Sequence, residues 1–318
     1  MTPFSGPEKQ LEETWLEKDF SVGDEPPGTR LDAYLGRLLE GKISRTRIKK
    51  LVEEGSILVG GKKVSAHYHI KSGDHIRLHW LPGPVDLAGA EAIPIDILHE
   101  DRDLIVVNKP PGMVVHPAHG NPSHTLVNAL LYHIRTLKGM KDPVRPGLVH
   151  RLDKDTSGVM VIAKNEKTHG ALARLFKDHE IEKTYHALVR GVVQHDEGKC
   201  EEPVGRAFLN RKKVVIRPSG GRDAVTYYRV LKRFKKATLI EVRPKTGRTH
   251  QIRVHMAHVG HPVLGDTLYG IKSTGIDRQA LHAFSLAFVH PGTRKKVYYE
   301  APEPEDFKKL TRFLESEN

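Results

Sequence analysis

Gly147-Leu-Val-His-Arg-Leu-Asp-Lys-Asp-Thr-Ser-Gly158, followed by Val159-Met-Val-Ile-Ala163, reads as a strand, a sharp polar turn and a second strand. Asp153 falls where the first apolar run stops, so rigid backbone is expected to hold its carboxylate. Arg151 lies two residues earlier, and on a strand that spacing puts both side chains on one face. An acid and a base at a strand end fit an active site. They fit equally a surface ion pair beside a turn, because Asp, Thr, Ser and Gly gather at turns for backbone reasons alone.

Towards the C-terminus, Asn165 is placed to cap a helix carrying Ala171, Leu172, Leu175 and Phe176, and Ile181 to Val189 alternates as a long strand. Val214–Arg217, Ala224–Val230, Ala237–Arg243, Leu281–Val289 and Lys296–Tyr299 read as further strands. A helix is expected from Thr249 to His258 and a last one from Glu305 to Glu317. Towards the N-terminus, Ile95–His99 and Leu104–Asn108 form a hairpin around Glu100–Asp103, Lys109-Pro-Pro-Gly112 turns the chain, and Thr125 caps a helix. Hairpin-linked strands with few helices predict an α+β domain over 93–318 with a large, mainly antiparallel mixed sheet. Residues 82–92 are rich in Pro and Gly and read as a linker.

Ahead of that linker, residues 23–81 read as a compact α/β unit. Leu31, Leu35, Leu38 and Leu39 repeat at helical spacing, and Ser44 caps a second helix with Ile48, Leu51 and Val52 inward. Gly60-Gly61 then turns a hairpin between Ile57–Val59 and Lys62–Val64. Arg45, Arg47, Lys49 and Lys50 give the second helix a basic face, which suits phosphate contacts. Residues 1–22 are expected to be a mobile arm.

The chain has 318 residues and a net charge of +12, with the excess spread along it. A polyanionic partner, nucleic acid first, follows from that balance. A single cysteine, Cys200, rules out an internal disulfide and suggests a reducing compartment. No basic-then-apolar start and no apolar run long enough for a membrane span occur, so a cytoplasmic protein is expected, with no membrane partner.

A second polar stretch, Lys245-Thr-Gly-Arg-Thr-His-Gln-Ile-Arg-Val-His-Met-Ala-His258, puts Arg248 at a strand-to-helix junction; in a third, Lys183 and Tyr185 alternate onto one strand face. His250, His255, His258 and His261 have basic neighbours and no tight ligand spacing, so no metal is expected. Glycine-rich nucleotide loops and the Gly-x-Ser-x-Gly of hydrolases are missing, which leaves Ser157 as a turn residue. A carboxylate with cationic and tyrosyl company remains. An acid beside a guanidinium keeps its charge and can be a nucleophile towards a sugar or ring carbon. It can also be a structural pair.

His150-Arg-Leu-Asp-Lys-Asp-Thr-Ser-Gly158 resembles the signature of the RluA family of pseudouridine synthases. So do Lys183-Thr-Tyr185, Gly247-Arg-Thr-His-Gln-Ile-Arg-Val-His255, Asn108-Lys-Pro-Pro-Gly112 and Leu281-His-Ala283. Gly28-Thr-Arg-Leu-Asp32, Ser44-Arg45, Ile48 and Gly55–Lys62 resemble the S4 RNA-binding module. The resemblance implies the pseudouridine synthase fold and isomerisation of uridine to pseudouridine with no cofactor and no metal. It implies a flipped base, because a stacked uridine is out of reach. In this resemblance Asp153 is the nucleophile, Arg248 its ion-pair partner and Tyr185 a proton acceptor against the base. Arg151 fills the vacated stack, and Ile252 and Leu281 are apolar walls. The expected partner is RNA, a loop of large-subunit ribosomal RNA first and tRNA second, bound by a monomer. The competing function class is a non-catalytic RNA-binding or ribosome-assembly factor, for which Asp153 would be dispensable.

Overall fold

The computed structural model of the chain describes residues 16–39, 45–80, 89–117, 121–142, 144–207, 213–270, 272–273 and 275–317. Two compact units divide between Leu87 and Ala88. The expected cap Ser44 and most of the linker lie outside the described residues.

In the first unit, β1 (Leu16–Ser21) is followed by α1 (Leu31–Leu38), α2 (Arg45–Glu54), β2 (Ile57–Val59) and β3 (His75–Trp80). The sheet order is β1-β3-β2, all antiparallel. Leu31, Leu35, Ile48, Leu51, Ile57, Ile76 and Leu78 make the core, whereas Leu38 faces solvent. Two expectations need correction. Residues 16–21, read as part of a mobile arm, form β1, because β3 offers an edge to pair with and Phe20 packs on the core. Lys62–Val64 is not the return strand. Only a single bridge joins Val59 to Lys62, and β2 takes β3 as its partner.

The second unit contains β4 (Asp96–Glu100), β5 (Leu104–Lys109), α3 (Leu126–His133), β6 (Ser157–Ala163), α4 (Glu166–Lys177) and β7 (Glu182–Arg190). After them come β8 (Glu197–Cys200), β9 (Val204–Arg206), β10 (Val214–Ile216), β11 (Thr226–Arg233) and β12 (Ala237–Pro244), and then α5 (Gln251–His258), β13 (Leu281–Val289), β14 (Lys296–Glu300) and α6 (Glu305–Ser316). Nine strands form one mixed sheet in the order β4-β5-β6-β13-β7-β12-β11-β8, with β14 paired to β13. Every pairing is antiparallel except β6 with β13. Thr125 and Asn165 cap α3 and α4 through their side chains, as their positions predict.

The sheet forks beside the polar turn. β13 pairs in parallel with β6 only at His282–Ser157 and Ala283–Gly158; from Ser285 onward the same edge serves β14. Gly158 makes the fork possible. Its φ is +117°, and a Cβ there would stand 2.1 Å from the Ala283 carbonyl oxygen. Beyond Gly158, β6 has a free edge, which Leu148 bridges at Ile162 and the His150 ring meets by accepting the Val161 amide at 3.1 Å.

Candidate active site

The segment before Asp153 is not the expected strand: only Leu148 bridges to a ladder, and residues 149–153 belong to no strand. Side chains hold the turn that follows it. Lys109, wholly buried at the end of β5, donates to the carbonyls of Pro110, Met113 and Lys154 at 2.8, 2.9 and 3.0 Å. Burial pushes its ammonium down to about 7, with Asp155 and Asp153 opposing the shift and Arg278 adding to it. Arg278 Nη1 donates to the Asp155 carbonyl at 3.0 Å, and Gln279 donates to the Thr156 hydroxyl at 3.2 Å. The amide of Thr156 closes the turn on the Asp153 carbonyl. The turn is therefore fixed from behind while the Asp153 side chain projects into a cavity of about 630 Å³.

Arg253 on α5, not Arg248, is the ion-pair partner. Its Nη1 donates to Asp153 Oδ2 at 3.0 Å, and its Nε and Nη2 grip buried Asp266 at 2.6 and 2.9 Å. Asp266 is positioned in turn by the amides of Leu268 and Tyr269. Burial opposes the charge on Arg253, but the two carboxylates, Asp266 first, hold its pKa above the ordinary arginine value. Its guanidinium also lies over the Tyr269 ring, 5.1 Å from the centroid. Arg248 lines the same cavity but donates through Nε to the Asp223 carbonyl at 3.0 Å. The exchange has a physical cause. The helix starts at Gln251, after His250 at φ +54°, rather than at Thr249, so Arg248 stays in the approach loop and Arg253 points inward.

Tyr185 on β7 packs between the two main apolar clusters of the sheet and lines the cavity with Ile252 and Leu281, both buried. Burial first, then the charge of Asp153, raises its hydroxyl pKa above the usual tyrosine value. Arg151 is exposed at the cavity edge. His250, which the sequence reading considered only as a metal ligand, has Nε2 3.8 Å from Asp153 Oδ2 and Nδ1 2.8 Å from the Tyr269 hydroxyl. His255 is buried against Thr226 and the Glu202 carbonyl, and His261 meets the Arg190 carbonyl. Sequence reasoning missed Arg253 as the partner, although Arg253 lies in the same polar stretch as Arg248. It also missed Asp266, whose only signal was being an acid in an otherwise apolar turn.

The cavity lining pairs one acid, Asp153, with six cations: Arg145, Arg151, Lys177, Lys183, Arg248 and Arg253. Such a lining attracts a polyanion to a single carboxylate. In the first unit, Arg30, Arg45 and Lys49 converge on buried Asp32 at 3.0, 3.1 and 3.8 Å. Burial would raise the Asp32 pKa, but Arg30 and Arg45 hold it below the usual range. Lys50 pairs with Glu54 instead, and the Arg47 side chain lies outside the described residues.

Residues 103–258 match the RNA pseudouridylate synthase family model, and residues 29–76 match the S4 domain model. An uncharacterized RNA pseudouridine synthase of Aquifex aeolicus is 46% identical over 299 residues, covering 90% of this chain and 94% of the relative. A protein named ribosomal large subunit pseudouridine synthase D, from Zymomonas mobilis, is 43% identical over 308 residues, covering 92% and 96%. Among solved structures, human RNA pseudouridylate synthase domain containing 4 superposes with a TM-score of 0.56 at 27% identity, covering 69% of this chain and 93% of that one. Identity of this depth over nine-tenths of the chain makes it a member of the RNA pseudouridylate synthase family, an isomerase that turns uridine in RNA into pseudouridine, with an S4 domain ahead of the catalytic fold.

Proposed function

We propose that the chain isomerises uridines in a loop of large-subunit ribosomal RNA, with Asp153 as the reacting carboxylate. The observation that carries this reading is the chain of contacts Asp266–Arg253–Asp153 at the cavity wall. It occupies Asp153 Oδ2 and leaves Oδ1 without a hydrogen bond among the described residues. In the reaction the bond from C1′ to ring N1 breaks, the uracil turns, C1′ bonds to C5, and the C5 proton leaves while N1 takes one up. Oδ1 is the atom free to attack the sugar or the ring, or to take a proton from the sugar. Tyr185 lies beside the turned base. Burial and the charge of Asp153 keep its hydroxyl protonated; once that charge is consumed the hydroxyl ionises more readily, and the phenolate, its own proton passed to solvent, can take the C5 proton. Arg151 takes the place of the extruded base in the RNA stack. A loop nucleotide is cheaper to extrude than a paired one. The ribosomal target draws support from relatives that carry that name.

The test replaces Asp153 with Asn and maps pseudouridine in total rRNA and tRNA from cells with and without the protein. The variant is expected to bind RNA and make no product. Product formed by the Asn variant would remove Asp153 from the chemistry, and a modification lost from tRNA alone would remove the ribosomal target.

A further inference from the structure

Lys183 is the one cavity cation whose position neither the fold nor the reacting carboxylate explains. Arg253 has two carboxylate partners, Arg248 a backbone carbonyl at 3.0 Å, and Arg145, Arg151 and Lys177 are exposed to water. Lys183 is half-buried, meets no carboxylate among the described residues, and reaches only the Lys245 carbonyl, at 3.5 Å. Its acidic chain neighbour, Glu182, is engaged by Lys296 at 2.8 Å. A half-desolvated ammonium without a counter-charge is costly unless a ligand supplies one. Burial accordingly lowers its pKa, and its charge in turn helps depress that of His150.

Its place on the strand says what the ligand is. Lys183 and Tyr185 stand two residues apart on β7 and both line the cavity. At about 3.3 Å per residue their attachment points are roughly 7 Å apart. That spacing suits a nucleobase at Tyr185 and a backbone phosphate of the same or adjoining nucleotide at Lys183. We propose that Lys183 is a phosphate-binding residue that grips the RNA backbone immediately beside the extruded uridine and so sets which nucleotide reaches Asp153. This rests on the function proposed above and assigns a residue that the reaction itself does not use.

The experiment uses a synthetic RNA hairpin with a loop uridine, taken from large-subunit ribosomal RNA and bound by the wild-type protein. Versions carry a neutral methylphosphonate in place of the phosphate on the 5′ or the 3′ side of that uridine. Wild-type protein is expected to lose about tenfold in kcat/KM with one of the two. Lys183→Met should show a similar loss on unmodified RNA and no further loss on that methylphosphonate. The salt dependence of RNA affinity, measured by fluorescence on the same hairpin, should flatten by about 0.7 in log–log slope for one lost phosphate contact, and Lys183→Arg should restore it. An equal methylphosphonate penalty in wild-type and Lys183→Met proteins, or an unchanged salt slope, would overturn the assignment. A wild-type protein that binds RNA but yields no pseudouridine would instead count against the proposed function, and the salt slope would still read Lys183.

Discussion

Arg253 has three hydrogen-bonding nitrogens, and all three are used: two on Asp266 and one on Asp153. The planar fork grips Asp266 with two nitrogens and reaches Asp153 with the third, a geometry that the point charge of lysine does not reproduce, so lysine is not an equivalent replacement. Arg253→Ala leaves two acids facing each other without a cation. It is expected to cost about 3–5 kcal/mol of stability, by analogy with other broken buried pairs, and to abolish turnover. Arg248→Ala, which removes one donor to a carbonyl, should stay within about 1.5 kcal/mol of wild type. Urea unfolding of the two variants distinguishes them, and equal losses would mean that the Arg253 network is not what holds the site. The family resemblance singled out Asp153 and Tyr185; the strand face of Tyr185 is where alternation in β7 places it, whereas the strand end expected to hold Asp153 is absent. The sequence pointed to the wrong arginine because the choice depends on where α5 begins. That start is set by His250 in a left-handed conformation, which propensity does not foresee.

At the scale of elements, the strands that alternate or run apolar were legible: β4, β5, β7, β12 and β13 all lie where the pattern places them. The segment before Asp153 was not. It meets β6 only through the Ala163 amide on the Gly147 carbonyl, one bridge at Leu148 and the Val161 amide on the His150 ring, while Lys109 and Arg278 fix the turn that follows, and hydropathy carries no record of such ties. The fork between β6 and β13 depends on similar side-chain ties. His282 is wholly buried, with Nδ1 2.9 Å from the Ser157 hydroxyl and Nε2 2.9 Å from the Ala301 carbonyl. The carbonyl can only accept, so Nε2 carries the proton and Nδ1 accepts from Ser157. Burial drives the His282 pKa down to about 4, only partly offset by the Ala301 carbonyl and Glu303. Between pH 6.5 and 4 the unfolded chain takes up a proton that the folded chain refuses. Stability contributed by neutral His282 is thus complete above about 6.5 and falls as pH drops towards 4, by up to about 3 kcal/mol. Thermal melts from pH 7 to 4 should therefore fall less steeply for His282→Gln than for wild type. Parallel curves would show that His282 does not titrate in this window.

For the whole molecule, the turn that carries Asp153 is a meeting point of distant chain segments. Lys109 comes from β5, Arg253 from α5, and Arg278 and Gln279 from the approach to β13. Arg278 is itself held by α6, where Asp306 accepts its Nε and Nη2 at 2.6 and 2.8 Å. The C-terminal helix thus reaches the turn that carries Asp153 through one guanidinium, although among the described residues it contributes nothing to the cavity lining. No local reading of the sequence could link Asp306 to Asp153, because only closure of the full sheet makes them neighbours. This link acts on position rather than on RNA contact, which fixes the form of its test. Asp306→Asn removes the charge that orients Arg278 and leaves every cavity-lining side chain in place. A displacement of the turn by as little as about 1 Å can cost on the order of a hundredfold in rate, and a partial loss of support should cost about tenfold. The expected result is a kcat roughly tenfold lower with KM within about twofold, together with faster hydrogen exchange at the Thr156 amide, which closes the turn. A raised KM with kcat intact would instead place α6 on the RNA-binding side, and an unchanged kcat would show that Lys109 and Arg253 hold the turn without help from α6.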